Sequence, residues 1–414
     1  MHERRAIALS RANRKTNSRI VRRKYIAWSI FLSVVGLCTF SLPLFAQDSA
    51  PPLSPPKAMY TVVPLTGVSA EAVRGSVAAS TTIPMWTYHI TSNRDGLQYS
   101  GSMVGRSPFF HGARATKVPT FIVPLKINMP DGGVFDPTSS VDSGCSPAGT
   151  ALSLIQSSPI FTPIDLHMGT VDMGVAQYVD AFQRANFWSD VSVTATSYHT
   201  SLSATTLGVQ TFNVPSGKGA TYNATNFVGG CGKIGVVDFS TMNNFVTGTL
   251  LPSLAGSGVG PTNFPFILLY NVVMGNPGDS LTSNCCILGF HGAFGFPTQT
   301  YSPADYDTTH LFSNSGNTSV ASHEVGEWMD DPLGTNPTPL WGHIGQVSGC
   351  QNNLEDGDPL SGTLFPSVLM PNGVTYALQE LAFFSWFYAS PSLAVNGWFS
   401  DNGKFTNDAG AVCM

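Results

Sequence analysis

What this chain lacks narrows its chemistry. No Gly-x-Ser-x-Gly, no glycine-rich phosphate loop and no Cys-x-x-Cys occurs in its 414 residues. Those absences argue against a serine-hydrolase nucleophile elbow, P-loop phosphoryl transfer and a thiolate zinc site. Ser257, in Gly256-Ser257-Gly258, sits in a flexible glycine-rich stretch and has no such elbow. Charge is scarce too: Asp, Glu, Lys and Arg make up 11% of the chain, against about a quarter in an ordinary globular protein. No internal repeat is visible, and beyond the first 46 residues no apolar run is long enough to span a bilayer.

The few basic residues are unevenly placed. Residues 1–24 hold nine of the 20 Lys and Arg and, in Glu3, one of the 25 acids. An apolar run from Tyr25 to Phe45 follows, and then Ala46-Gln47-Asp48. This is the layout of a secretory signal, with cleavage expected after Ala46 and the mature protein secreted or periplasmic. Arg22-Arg23-Lys24 loosely resembles a twin-arginine signal; a membrane enters only if the segment stays uncut as an anchor. The remainder has 11 basic and 24 acidic residues, a net charge of about −13. Such a surface argues against nucleic acid as a partner. Abundant Gly, Ser, Thr, Asn and Pro suit a rigid, turn-rich exported protein.

Six cysteines remain after the signal: Cys145, Cys231, Cys285, Cys286, Cys350 and Cys413. An even number in an exported chain predicts disulfides. Adjacent Cys285 and Cys286 are expected to pair with two different partners.

Patterning predicts an α+β fold. Residues 47–58 read as a Pro-rich linker, residues 59–115 as a β-rich N-terminal region, and residues 116–414 as the main domain. Trp86–Thr91 and Leu97–Val104 read as a hairpin about the turn Asn93–Gly96. Thr120–Leu125 reads as a strand, its Pro124 suggesting an edge. Helical periodicity is expected at Val175–Trp188 and Met242–Leu254. Pro265–Val273 and Cys286–His291 read as buried strands, and Tyr376–Phe387 as a short helix or strand.

The most informative stretch is Ser322-His323-Glu324-Val325-Gly326-Glu327-Trp328. It reads as a zinc-protease helix, His-Glu-x-x-His, with Glu327 at the second His position. A helix from about Thr318 to Asp330, stopped by Pro332, places His323 and Glu327 one turn apart on one face. Both can then reach one ion, with Glu324 beside them as general base. The third ligand is sought in the carboxylate-rich turn Asn353–Pro359, where Glu355 and Asp358 are both candidates. One imidazole and two carboxylates favour zinc and also admit manganese or calcium. His343, Tyr376 and His291 are candidate oxyanion or substrate contacts.

The layout of His323-Glu324-Val325-Gly326-Glu327, Asp331-Pro332, Trp341 and Glu355-Asp356-Gly357-Asp358 resembles the EXORDIUM or phosphate-induced protein 1 family and related secreted bacterial and fungal proteins. Val374–Gln379 with Trp386 is similar to that family's closing segment, so the likeness covers roughly residues 265–390. The chain departs from the pattern in having Pro359-Leu360 where the family commonly has a Cys. The resemblance implies a zincin-like domain, a mixed sheet with an active-site helix, in which His323 and Glu327 are ligands and Glu324 is the base.

The function expected is therefore an exported metal-dependent peptidase acting on peptides or proteins. The alternative is a non-catalytic envelope or extracellular protein that keeps a structural metal and binds proteins or glycans. Glu324 separates the two, since a structural clamp has no use for a carboxylate beside its ligand.

Overall fold

The computed structural model describes residues 52–414, apart from 110–113, 143, 193–196, 284, 313–314, 409–412 and 414. The expected signal at residues 1–46 lies outside the described residues. The fold is mixed α+β. Eleven strands form one mixed sheet. In chain order they are β1 (Met59–Val63), β2 (Arg114–Asn128), β3 (Val134–Phe135), β4 (Tyr198–Thr206), β5 (Gln210–Asn213), β6 (Gly219–Asn223), β7 (Lys233–Asp238), β8 (Phe264–Tyr270), β9 (Val272–Gly275), β10 (Ile287–Phe294) and β11 (Gln299–Tyr306). The bonded order is β6-β7-β9-β10-β11-β8-β2-β3, with β1 added to β10 and both β4 and β5 added to β2.

The apolar run of β8 follows from its position. It pairs in parallel with β11 on one side and β2 on the other, and both of its faces are covered. Phe264, Phe266 and Leu268 join the cluster containing Val320, Val325 and Trp328. Ile267 and Leu269 join Met242, Val246 and Leu250 on the opposite face. The strand expected through Val273 is broken at Asn271, which has φ 50° and whose side chain exchanges hydrogen bonds with Thr308.

Pro124 does not mark an edge, because β2 is paired on both sides. It faces Leu268 of β8, and it falls between Ile122, opposite the last residue of β4, and Leu125, opposite the first of β5. The imino residue thus stands where one neighbouring strand has ended and the next has not begun.

The N-terminal region differs from expectation in two ways. β1 belongs to the large sheet, and a helix, Ala70–Ala78, follows it, capped by Ser69, whose Oγ accepts from the Ala72 amide. Part of the expected linker is docked: Leu53 bridges to Phe227, and the Lys57 carbonyl accepts from the Cys286 amide. The expected hairpin forms as Met85–Thr91 with Gln98–Val104. Helix Tyr178–Asn186 starts later than periodicity suggests, because Val171–Ala176 pairs with Ile164–Met168. The sequence 239–253 is helical in three consecutive pieces.

Cys145–Cys231, Cys285–Cys286 and Cys350–Cys413 are disulfide pairs. The adjacent cysteines therefore bond each other, contrary to expectation. A cis peptide between them brings their Cα atoms to 3.1 Å, a closeness that a trans peptide does not reach. Three such pairs fit an oxidising compartment. Among the described residues no helix is long and apolar enough to cross a membrane.

Candidate metal centre

The motif forms a helix, Ser319–Asp330, every residue of which is buried. It lies against β10 and β11. Trp328 stacks on Phe264 with ring centroids 3.7 Å apart and donates from Nε1 to Thr300 Oγ1 at 3.0 Å. That contact fixes the rotation of the helix, and the helix ends where Pro332 can supply no amide hydrogen.

Two glycines let neighbouring backbone approach the motif. A Cβ on Gly289 of β10 would lie 2.7 Å from Glu324 Cγ. One on Gly357, in the acidic turn, would lie 2.5 Å from His323 Nδ1. The glycine of Glu355-Asp356-Gly357-Asp358 is thus required by the flat approach of the imidazole. Its amide also donates to Glu327 Oε1 at 3.1 Å.

His323 Nε2 lies 3.0 Å from Glu327 Oε1 and 3.7 Å from Asp358 Oδ1, and these atoms could share one ion. The other ring nitrogen fixes the tautomer. Gln379 Nε2 donates to the Gly357 carbonyl at 2.7 Å, which turns Gln379 Oε1 toward His323 Nδ1 at 2.9 Å. An amide oxygen only accepts, so Nδ1 carries a hydrogen and Nε2 is the atom turned to the carboxylates, as a lone pair when the ring is neutral. Nε2 makes no hydrogen bond despite its closeness to Glu327. A second nitrogen–carboxylate group adjoins the first. His291 of β10 is fully buried, with Nδ1 3.4 Å from Glu324 Oε2 and 3.7 Å from Glu327 Oε2.

The charge balance is one-sided. Glu324, Glu327, Asp330, Asp331, Glu355, Asp356 and Asp358 are all buried. Among the described residues no Lys or Arg forms an ion pair with any of them. Buried carboxylates without cations must take up protons or bind metal. Burial, reinforced by the charges of Glu327 and Asp358, pushes the Glu324 carboxyl well above its ordinary range. Burial and Glu327 push Asp358 up to about 8. Burial also opposes ionisation of Glu327, yet the adjacent His323 holds that carboxyl below its usual range. Burial opposes charge on His323, yet Glu327, Asp358 and Gln379 together raise it above its usual range.

Comparison with family models, curated proteins and solved structures finds no match for this chain. What the site can do rests on its own geometry.

The structure brings together His323, Glu324, Glu327, Asp358 and His291. Of the two candidate third ligands, Asp358 faces His323, whereas Glu355 joins neither group that could hold an ion, and burial and the charge of Glu327 push its carboxyl well above the ordinary range. Asp358 is steadied by Gln346 Nε2 and by Gln351 Nε2, the latter at 3.0 Å from Oδ2. Tyr376 is buried, but its hydroxyl donates to the Leu154 carbonyl and accepts from Asn372. His343 is exposed, 3.9 Å from Cys350 Sγ. Neither has the placement of an oxyanion donor.

Sequence reasoning missed Gln379, Gln346 and Tyr60. Gln379 lies in the segment similar to the family's closing motif, and that was its only signal. Tyr60 had none. It stacks on His323 with centroids 3.6 Å apart and planes 16° apart. Its amide donates to Gln346 Oε1 at 2.7 Å, and its carbonyl accepts from Gln346 Nε2 at 3.1 Å. β1 thereby takes the edge of β10 beside the helix, with Tyr60 opposite Gly289 and Val62 opposite His291. β11 holds the other edge of Gly289 and Gly292. Tyr60 also lines a cavity of about 200 Å³ with Lys57, Phe312 and Gln346.

Proposed function

We propose that this protein is an exported metal-dependent peptidase of zincin type, as its resemblance to the EXORDIUM family also suggests. The observation that carries the reading is the orientation of His323, held at Nδ1 by Gln379 so that its buried Nε2 faces Glu327 and Asp358. A nitrogen 3.0 Å from a carboxylate oxygen needs positive charge between them, supplied by a proton on the ring or by a metal ion in its place. One imidazole and two carboxylates suit zinc, with manganese also compatible. His323, Glu327 and Asp358 would hold the ion, which when bound polarises a carbonyl and acidifies water.

The chain's own residues supply the rest. Glu324 is adjacent to the ligands and is made basic by burial and by its acidic neighbours. It takes the proton of the attacking water and passes it to the leaving amine. Gln379 holds His323 in its ligating tautomer. An extended peptide would pair along β10, so turnover requires β1 to leave that edge.

One observation favours a second reading. The centre is wholly buried beneath Tyr60, as suits a structural metal in a non-catalytic binding protein. Metal content and peptide hydrolysis, measured on wild type, His323→Ala and Glu324→Gln, separate the readings. The peptidase reading expects Glu324→Gln to keep its metal and lose a factor of about 10²–10⁴ in rate. A wild type that binds metal but cleaves no peptide leaves the structural reading in the lead. Equal, near-zero metal in wild type and His323→Ala sinks both.

A further inference from the structure

A second histidine on the same carboxylate repeats the arrangement of the first. His291 Nε2 lies 3.2 Å from the backbone carbonyl of Asp331. A carbonyl only accepts, so Nε2 carries the hydrogen and Nδ1 presents a lone pair. That lone pair points at Glu324 Oε2, 3.4 Å away, and Glu327 Oε2, 3.7 Å away. All three side chains are completely buried. Glu327 Oε2 and Glu324 Oε1 have no hydrogen-bond partner.

Glu327 therefore has a different histidine on each oxygen: His323 on Oε1 and His291 on Oε2. Each histidine is oriented from behind by an acceptor, Gln379 for one and the Asp331 carbonyl for the other. Backing of this kind is what fixes metal-ligating imidazoles. The two sets of atoms, His323-Glu327-Asp358 and His291-Glu324-Glu327, are each compact enough to hold an ion.

From this geometry we infer that the chain has a second divalent-cation position, formed by His291, Glu324 and Glu327, with Glu327 bridging the two ions. Two ions also answer the surplus of buried carboxylates better than one. The regulatory consequence rests on the peptidase reading. Glu324 is the base there, and a carboxylate ligating a cation no longer accepts a proton freely. The second ion then inhibits, and activity rises with the first equivalent of metal and falls with the next.

The test uses the full mature chain with Zn²⁺ alone as the probe. Metal-free protein is dialysed against increasing Zn²⁺ and bound metal is counted by elemental analysis. Two equivalents are expected for wild type and one for His291→Ala, the remaining one being abolished by His323→Ala. Where His291→Ala does not fold, Mn²⁺ loading of wild type gives a second measurement. Two ions sharing one carboxylate show a magnetically coupled spectrum at saturation, and a lone ion does not. A single equivalent in wild type up to millimolar Zn²⁺ overturns the proposal, and means that a proton joins His291 to Glu324. Two equivalents persisting in His291→Ala also overturn it. If two ions bind and no peptide is cleaved at any loading, the peptidase reading fails while the second site stands.

Discussion

The phenol of Tyr60 lies flat on the imidazole of His323, with centroids 3.6 Å apart. The N-terminal strand thus covers the residue on which the metal centre depends. Tyr60→Ala removes the ring but leaves both backbone bonds to Gln346. The expected outcome is faster exchange of bound metal with a chelator, and faster deuterium uptake at residues 59–63 and 289–292. Unchanged exchange at both places would show that Tyr60 does not guard the centre.

Gln379 is expected to control metal affinity without touching metal. Gln379→Leu removes the acceptor at His323 Nδ1 and frees the tautomer. Loss of such an outer contact typically lowers affinity by about 10- to 100-fold. Competition with a calibrated chelator measures it. An affinity equal to wild type would mean that packing alone orients His323.

Gly357 is expected to tolerate no side chain. A Cβ there would fall 2.5 Å from the His323 ring, forcing the acidic turn away from the helix. Overpacking of this kind costs about 1–3 kcal/mol. Gly357→Ala should lower the denaturation midpoint and weaken metal binding together. A loss of stability with metal affinity intact would separate the turn from the centre.

The metal-free protein should lose stability as pH rises. Asp358 is raised to about 8, and Asp330 and Asp331 to about 7, each chiefly by burial. A carboxyl with a raised folded-state value binds protons more tightly folded than unfolded, so stability falls with pH between the two values. His291, lowered to about 4 by burial, acts oppositely up to its ordinary value of about 6.5. The fall is therefore least opposed from about 6.5 to about 8. Bound metal replaces the proton of Asp358, a proposed ligand, and should reduce the dependence. Melting temperatures across that interval, with and without Zn²⁺, check it; a metal-free melting temperature that rises with pH would contradict this account.

The motif helix was legible because its residues carry their own instructions: 3.6-residue spacing, a proline stop and ligand-type side chains. It was expected at about Thr318 to Asp330 and is found at Ser319–Asp330. Alternation likewise predicted the hairpin at Trp86–Thr91 and Leu97–Val104, which is found as Met85–Thr91 with Gln98–Val104. What could not be read is what depends on long-range placement. Nothing near Tyr60 signals that it meets His323, and nothing near His291 signals a second approach to Glu327. The choice between Glu355 and Asp358 turns on the local path of the acidic turn. There Asp358 begins a short 3₁₀ turn and reaches His323, while Glu355 stays outside both groups that could hold an ion.

The bonds between Tyr60 and Gln346 span 286 residues. β1 is among the first parts of the described chain to be synthesised, yet β10, the motif helix and the acidic turn all come much later. Closing so long a loop adds little to the equilibrium cost, about 0.6 kcal/mol per doubling of length, but contacts of such separation form late. The strand that seals the centre must therefore wait for the centre to exist. An ion has open access during that interval and a covered route afterwards. Zn²⁺ supplied during refolding should accordingly be captured more completely than Zn²⁺ offered for the same time to the finished fold. This makes the moment of assembly the natural time of loading.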